Sequence, residues 1–158
     1  MTRYSCILIF MKLIVHTDGG SRGNPGQAAI GIVIQMIDES SKKSETKVIE
    51  FGKRIGEATN NVAEYTAVRE ALAYMHNNLL RSGISHRETI IQFFLDSLLV
   101  VQQLNGVFKI KDARLREIFF AIKSLEQELD GVISYTHIPR EENMRADALV
   151  NKALDAPM

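Results

Sequence analysis

The chain has 158 residues, with 19 Lys plus Arg against 19 Asp plus Glu and a formal net charge of zero. That length accommodates one domain with a sizeable core, the charge balance excludes a global basic field for polyanions, and a hydrophobic share of 46% argues against disorder. A single cysteine, Cys6, excludes an intramolecular disulfide and fits a reducing cytoplasm.

The apolar run 6–15 is broken by Lys12 and is too short to span a bilayer, so no membrane association is expected. No small-residue cleavage site precedes the glycine-rich stretch, and the run reads as a strand behind a dispensable leader. Met11 stands just ahead of "KLIVHTDGG" and is a candidate native start. Residues 1–11 are therefore assigned to the leader and 12–155 to a single domain.

"KLIVHTD" is a strand, and the glycines and proline after it suggest a turn into a second strand, "AAIGIVIQMID". "ESSKKSETK" reads as a hairpin tip and "VIEFGKRIG" as a returning third strand, so the three are antiparallel neighbours. The period then changes. Tyr65, Val68, Leu72, Met75 and Leu79 recur at spacings of three and four, the stripe of an amphipathic helix, with Thr59 or Asn60 as N-cap. "ETIIQFFLD" is a fourth strand, apolar enough for both faces to be covered. "SLLVVQQLNG" is a short helix between Ser97 and Gly106, and "DARLREIFFAIKSLEQELDG" a longer one ended by Gly131. "VISYTHI" makes a fifth strand and "NMRADALVNKALD" a closing helix. The order βββαβααβα predicts an α/β fold with a mixed sheet and helices over its faces.

Four acids sit where apolar residues are expected, and an unpaired buried charge is costly. Asp18 closes the first strand and Asp96 the fourth. Glu64 shares a helical stripe with Val68, Ala71 and Met75, and Asp147 aligns with Val150 and Leu154. Singly, each has a plain structural explanation: Asp–Gly is common in turns, Asp96–Ser97 can cap a helix, and Glu64 suits a first helical turn. Together they lie on the ends of elements that an α/β sheet brings together, with no Lys or Arg beside them on those faces. Converging carboxylates need a counter-charge, and in the absence of thiolates the expected one is Mg²⁺ or Mn²⁺. A phosphate-cradling loop at "HTDGGSRGNPG" is set aside, since it lacks the Gly-Lys-Ser/Thr ending. His16, on the strand face of Asp18, reads as a packing residue.

The motifs "TDGGSRGNPGQAAIG", "TNNVAEYTAVREAL", "LDSLLVVQQLNG" and "HIPREENMRADALVNKAL" together resemble ribonuclease H of type 1, in order, from about residue 12 to 154. The resemblance implies the ribonuclease H-like fold, a five-stranded mixed sheet of an antiparallel meander plus two parallel strands flanked by helices. It also implies endonucleolytic cleavage of the RNA strand of RNA–DNA hybrids, leaving 5′-phosphate and 3′-hydroxyl ends. Asp18, Glu64, Asp96 and Asp147 match the family's metal-binding catalytic acids, which hold two ions, with Asp18 the expected bridging ligand. His137 matches the spacing of the family's mobile catalytic histidine, and as readily finishes a strand as a structural residue.

The same resemblance assigns Asn24, Asn60 and Asn61 to minor-groove contacts and Thr59 to a DNA phosphate. "FKIKDARLR" places Lys109, Lys111, Arg114 and Arg116 where the bacterial type carries a tryptophan-containing basic protrusion. With no tryptophan and little room for that insertion, the chain resembles the short branch of the family. The expected partner is hybrid nucleic acid, bound by a cytoplasmic monomer, and double-stranded RNA is a further candidate substrate. The competing expectation is a catalytically silent nucleic-acid-binding module of the same fold.

Overall fold

The computed structural model of the chain describes residues 11–38, 45–81, 89–129 and 131–158. The expected leader up to residue 10 and most of the hairpin tip lie outside the described residues, as does the Leu79 side chain. β1 (Met11–Gly23) pairs antiparallel with β2 (Gly26–Asp38), and β2 pairs antiparallel with β3 (Glu45–Ala58). After α1 (Asn60–Arg81), β4 (Thr89–Leu95) runs parallel to β1. Then come α2 (Leu98–Leu104), α3 (Ala113–Leu129), β5 (Val132–His137), parallel to β4, a short 3₁₀ turn (Arg140–Glu142) and α4 (Met144–Asp155). The sheet order is β3-β2-β1-β4-β5. No helix among the described residues is long and apolar enough to cross a membrane.

The element order agrees with the sequence reading, but the turn is confined to the end of the glycine-rich stretch, where Gly23 has a positive φ of 100°. β1 and β2 stay paired from Met11–Asp38 to Gly23–Gly26, so only Asn24 and Pro25 connect them. Asp18 is consequently an interior residue of a long strand, not its last residue. It still lies at a sheet edge of another kind, because the parallel pairing with β4 ends at His16–Phe94. The glycines serve close approach. A Cβ on Gly19 would collide with the carbonyl group of Ala63, in the first turn of α1. On the opposite face, a Cβ on Gly31 would collide with the Ala146 carbonyl oxygen and meet Leu149 Cβ at 3.1 Å, so α4 lies directly on the β2 backbone.

Strand alternation builds the two layers. Leu13, Val15, Ile30, Ile32 and Ile34 bury against Tyr65, Val68 and Leu72 of α1 and Ile122 of α3. Ala29, Val150 and Leu154 form the smaller cluster under α4. β4 alternates buried and half-buried residues, so its two faces are not both fully covered as expected. The reason is that α4 packs chiefly over β2, β3 and β1, leaving that face of β4 thinner. His16 stacks on Phe94 there, with ring centroids 5.3 Å apart, the packing role its sequence position suggests. Arg54 ties down the end of α4, donating from Nε to Ala153 O (2.9 Å) and from Nη2 to Leu154 O (2.7 Å) and Ala156 O (2.5 Å).

Since α4 carries Asp147, its seat on Gly31 positions the site. Gly31→Ala is expected to lower unfolding stability by about 1–3 kcal/mol, because the backbone it meets cannot swing aside as a side chain could. Chemical denaturation checks this, and an unchanged midpoint would show that α4 does not rest there.

Candidate active site

Three elements deliver carboxylates to one point. Asp18 comes from β1 just past the end of its parallel pairing, Asp96 follows β4, and Glu64 comes from the second turn of α1. One ligand oxygen from each lies within 4.8 Å of the others. Asp147, in the first turn of α4, is not in that triangle but reaches it through a side-chain hydrogen bond with Asp18. Its Oδ2 also accepts from Asn151 Nδ2 (3.3 Å), one turn along α4. All four acids line a single open cavity of about 460 Å³.

Local sequence explains each placement. Thr59 Oγ1 accepts from Val62 N (3.2 Å), capping α1 so that it starts directly off β3. Ser97 Oγ accepts from Val100 N and caps α2, leaving the preceding Asp96 free to turn toward the cavity. Asn143, 1% exposed, donates from Nδ2 to Thr17 O (3.0 Å), pinning the start of α4 to the strand residue beside Asp18.

Electrostatics show a cluster of acids short of positive charge. Burial, then the Asp96 and Asp147 charges, push the Asp18 carboxyl up to about 7. Burial, then the Asp18 and Asp96 charges, hold the Glu64 carboxyl well above the usual carboxylate range. Glu64 Oε2 is buried with no hydrogen-bond partner, an orphaned oxygen of the kind a hard cation satisfies. The donor set is all oxygen and contains no sulfur, so it fits Mg²⁺ or Mn²⁺.

The expectation that no Lys or Arg accompanies these acids is overturned. Arg140 lines the cavity, and its charge is the influence that lowers the Glu64 pKa. Arg22 lines the cavity's far end. Reasoning along helix and strand faces misses Arg140 because it sits in the turn before α4. It misses Arg22 because ending the first strand at Asp18 leaves that residue in a turn, whereas β1 runs on to Gly23 and carries Arg22 on the face of Asp18. The retrievable signal for Arg140 was its place in "PREEN", between a strand and a helix that each lead to an acid.

Other candidate residues fall into two groups. Asn24, Ser21 and Asn60 form a clasp between the hairpin and α1. Asn60 N donates to Asn24 Oδ1 (3.0 Å), while Ser21 N and Oγ donate to Asn60 Oδ1 (3.0 and 3.1 Å). Asn61 is exposed beside it, and Asn60 borders the acidic cavity. Lys109 and Lys111 are exposed between α2 and α3 and, with Arg114 and Arg116, form no ion pair among the described residues. His137 ends β5 with Nε2 3.2 Å from Asp96 O, against the main chain of an acid and outside the cavity lining.

A meander joined to two parallel strands, with acids converging from β1, β4, α1 and α4, defines the ribonuclease H class of fold with a cluster of carboxylates that could hold a metal ion. The chain matches the "reverse transcriptase-like" family model over residues 16–153. It is 41% identical over 144 residues to ribonuclease HI of Halobacterium salinarum, covering 91% of this chain and 65% of that one. Against bifunctional protein Rv2228c of Mycobacterium tuberculosis it is 36% identical over 146 residues, 92% of this chain but 36% of that protein. The chain thus spans little more than a third of the length of its mycobacterial relatives. Among solved structures, LC11-RNase H1 in complex with an RNA/DNA hybrid aligns with a TM-score of 0.77 and 40% identity, covering 90% of this chain and 96% of that one. The chain belongs to the reverse transcriptase-like family, and within it to ribonuclease H of type 1.

Raised carboxyl pKa values carry a stability consequence with a definite sign. Between its ordinary value of 3.8 and about 7, folded Asp18 binds more protons than the unfolded chain does, so stability falls as pH rises through that window. Metal-free protein is expected to melt a few degrees lower at pH 8 than at pH 5, and added Mg²⁺ or Mn²⁺ to restore the loss at pH 8. Thermal melts in chelator and in metal check this. A melting temperature indifferent to both would contradict a strained acidic cluster.

Proposed function

We propose that the protein is a metal-dependent endonuclease that hydrolyses the RNA strand of RNA–DNA hybrids, acting as a cytoplasmic monomer. The observation that carries this reading is the triangle of Asp18, Glu64 and Asp96 oxygens in a cavity that opens onto the amide-bearing start of α1. The structural similarity to LC11-RNase H1 in complex with an RNA/DNA hybrid supports the substrate.

Asp18, Glu64 and Asp96 would hold one divalent cation, and Asp18 together with Asp147 a second. When bound, such ions stabilise charge on the attacking water and on the leaving oxygen of an in-line phosphodiester displacement, which leaves 5′-phosphate and 3′-hydroxyl ends. The chain's own residues do the rest. Glu64 would serve as a ligand through its buried oxygen, Arg140 offsets part of the carboxylate charge, and capped α1 and α2 fix the acids on rigid elements. Asn60 and Asn61 present amides that can donate to and accept from a minor groove and its 2′-hydroxyls with little sequence preference. Thr59 lies where a DNA phosphate meets the start of a helix. Lys109 and Lys111 add phosphate attraction in a chain with no net charge. His137 is retained as a proton-transfer or product-release residue, in reach of the site only through motion of its ring. Double-stranded RNA belongs to the same reading as a second substrate, since it too offers 2′-hydroxyls.

The test is cleavage of a labelled RNA–DNA hybrid in Mg²⁺ or Mn²⁺. Asp96→Asn is expected to lower the rate by more than about a hundredfold with binding retained. Hybrid binding without cleavage by wild type would establish the silent-module reading instead. If the four basic residues from Lys109 to Arg116 all engage phosphates, affinity is expected to fall about a hundredfold between roughly 50 and 200 mM salt. A flat salt response in filter binding would remove that surface from the interface.

A further inference from the structure

The acidic cavity does not end at the metal-binding acids. It continues as a trough between β1 and α4, from Asp18 and Asp147 past Gly20 and Asn151 to Arg22. Asp18, Gly20 and Arg22 alternate along one strand and face the same way, toward α4. Four residues of strand place Arg22 about 13 Å beyond Asp18. That is a span of about two to four nucleotides, given an axial rise of roughly 3.4 Å per step.

The Arg22 guanidinium meets the Asp155 carboxylate there, with Nη2 2.5 Å from Oδ1. Both side chains are more than half exposed, and an ion pair so wet contributes little to stability. Nor is it needed to hold the end of α4, which Arg54 already fixes through the carbonyls of Ala153, Leu154 and Ala156. Asp155 is moreover the last residue of its helix, where the dipole disfavours an acid. An exposed arginine thus points into the reactive trough, held by a carboxylate that is poorly placed without it.

We propose that Arg22 clamps a phosphate of the strand to be cut, a few nucleotides from the scissile bond, and that Asp155 holds its guanidinium in place until the strand arrives. A backbone phosphate accepts the same two-pronged hydrogen bonding as a carboxylate, so the exchange keeps the guanidinium satisfied throughout. Arg22 is a positioning residue, outside the reacting atoms. The inference rests on the hybrid-nuclease reading, and the experiment separates the two.

The substrate is a DNA strand with a short internal ribonucleotide stretch annealed to complementary DNA, which fixes the cut, and its flanks are shortened stepwise from either end. If wild type cuts none of these duplexes, the hybrid-nuclease reading fails and the clamp with it. Given cleavage by wild type, Arg22→Ala is expected to raise KM about tenfold on long duplexes, with a much smaller change in kcat, and to reduce the salt slope of binding by about one. The difference from wild type should vanish once one particular flank is trimmed to a single nucleotide. Asp155→Asn, which releases the guanidinium, should leave KM at the wild-type value or lower it. A deficit in Arg22→Ala that ignores flank length, an unchanged KM on long duplexes, or a rise in Asp155→Asn that matches Arg22→Ala would each overturn the clamp. The last of these would identify the pair as a structural clasp.

Discussion

The rest of the structure is organised around two carboxyl groups buried against each other at the centre of the acidic site. Asp18 and Glu64 are 7% and 8% exposed, and neither has a basic partner close enough to neutralise it. Burial and mutual repulsion raise both carboxyl pKa values, and a bound cation would relieve that repulsion. The fold's apparent peculiarities follow from bringing these two groups together. Gly19 has no side chain because the Ala63 backbone must pass against it for Glu64 to reach Asp18. Thr59 caps α1 immediately after β3, so the helix starts at the depth where Glu64 faces the strand. Asn143 binds the strand carbonyl next to Asp18 and sets the start of α4, which in turn fixes Asp147.

The same constraint explains why the site lies where it does in the sheet. The parallel pairing of β1 with β4 stops just before Asp18 and Asp96, so their side chains open onto the carboxyl ends of the parallel strands. Crevices at that place are where open α/β sheets bind ligands. The antiparallel pairing of β1 with β2 continues past the site, and this extension becomes the wall that carries Ser21, Arg22 and Asn24. One strand therefore supplies an acid to the reactive centre and, further along, the groups suited to hold a nucleic-acid strand in the trough. The cations that accompany the acids, Arg140 and Arg22, enter from a turn and a hairpin, so the cavity is acidic at its centre and basic at its rims. This charge pattern suits the polyanionic substrate of the proposed function.

Much of this was legible in the residues. The period of three and four marked α1, because that helix buries one stripe against the sheet, while apolar runs and cap residues marked the other elements. The four acids stood out for the converse reason, as charges on faces that should be apolar. The glycine-rich stretch misled because glycine marks two different needs, a turn and a close approach, and only the turn is local. The backbone that presses on Gly19 belongs to α1, far along the chain, and nothing in "TDGGSRGNPG" announces it. Arg140 was missed because a search confined to helix and strand faces overlooks a charge delivered by a turn, and Arg22 because the strand was ended at Asp18, four residues before it. Asp147 was expected with the other three acids, and it lines the same cavity but stands outside their triangle.

The central claim is that the buried acids are a metal site. The most direct test is a crystal structure of the protein soaked in Mn²⁺, read through the anomalous signal of the metal. The account predicts an ion between the carboxylates of Asp18, Glu64 and Asp96, with the orphaned Glu64 oxygen among its ligands, and loss of that signal in Glu64→Gln. Crystals saturated with Mn²⁺ that show no peak at these acids, or an unchanged peak in Glu64→Gln, would contradict it.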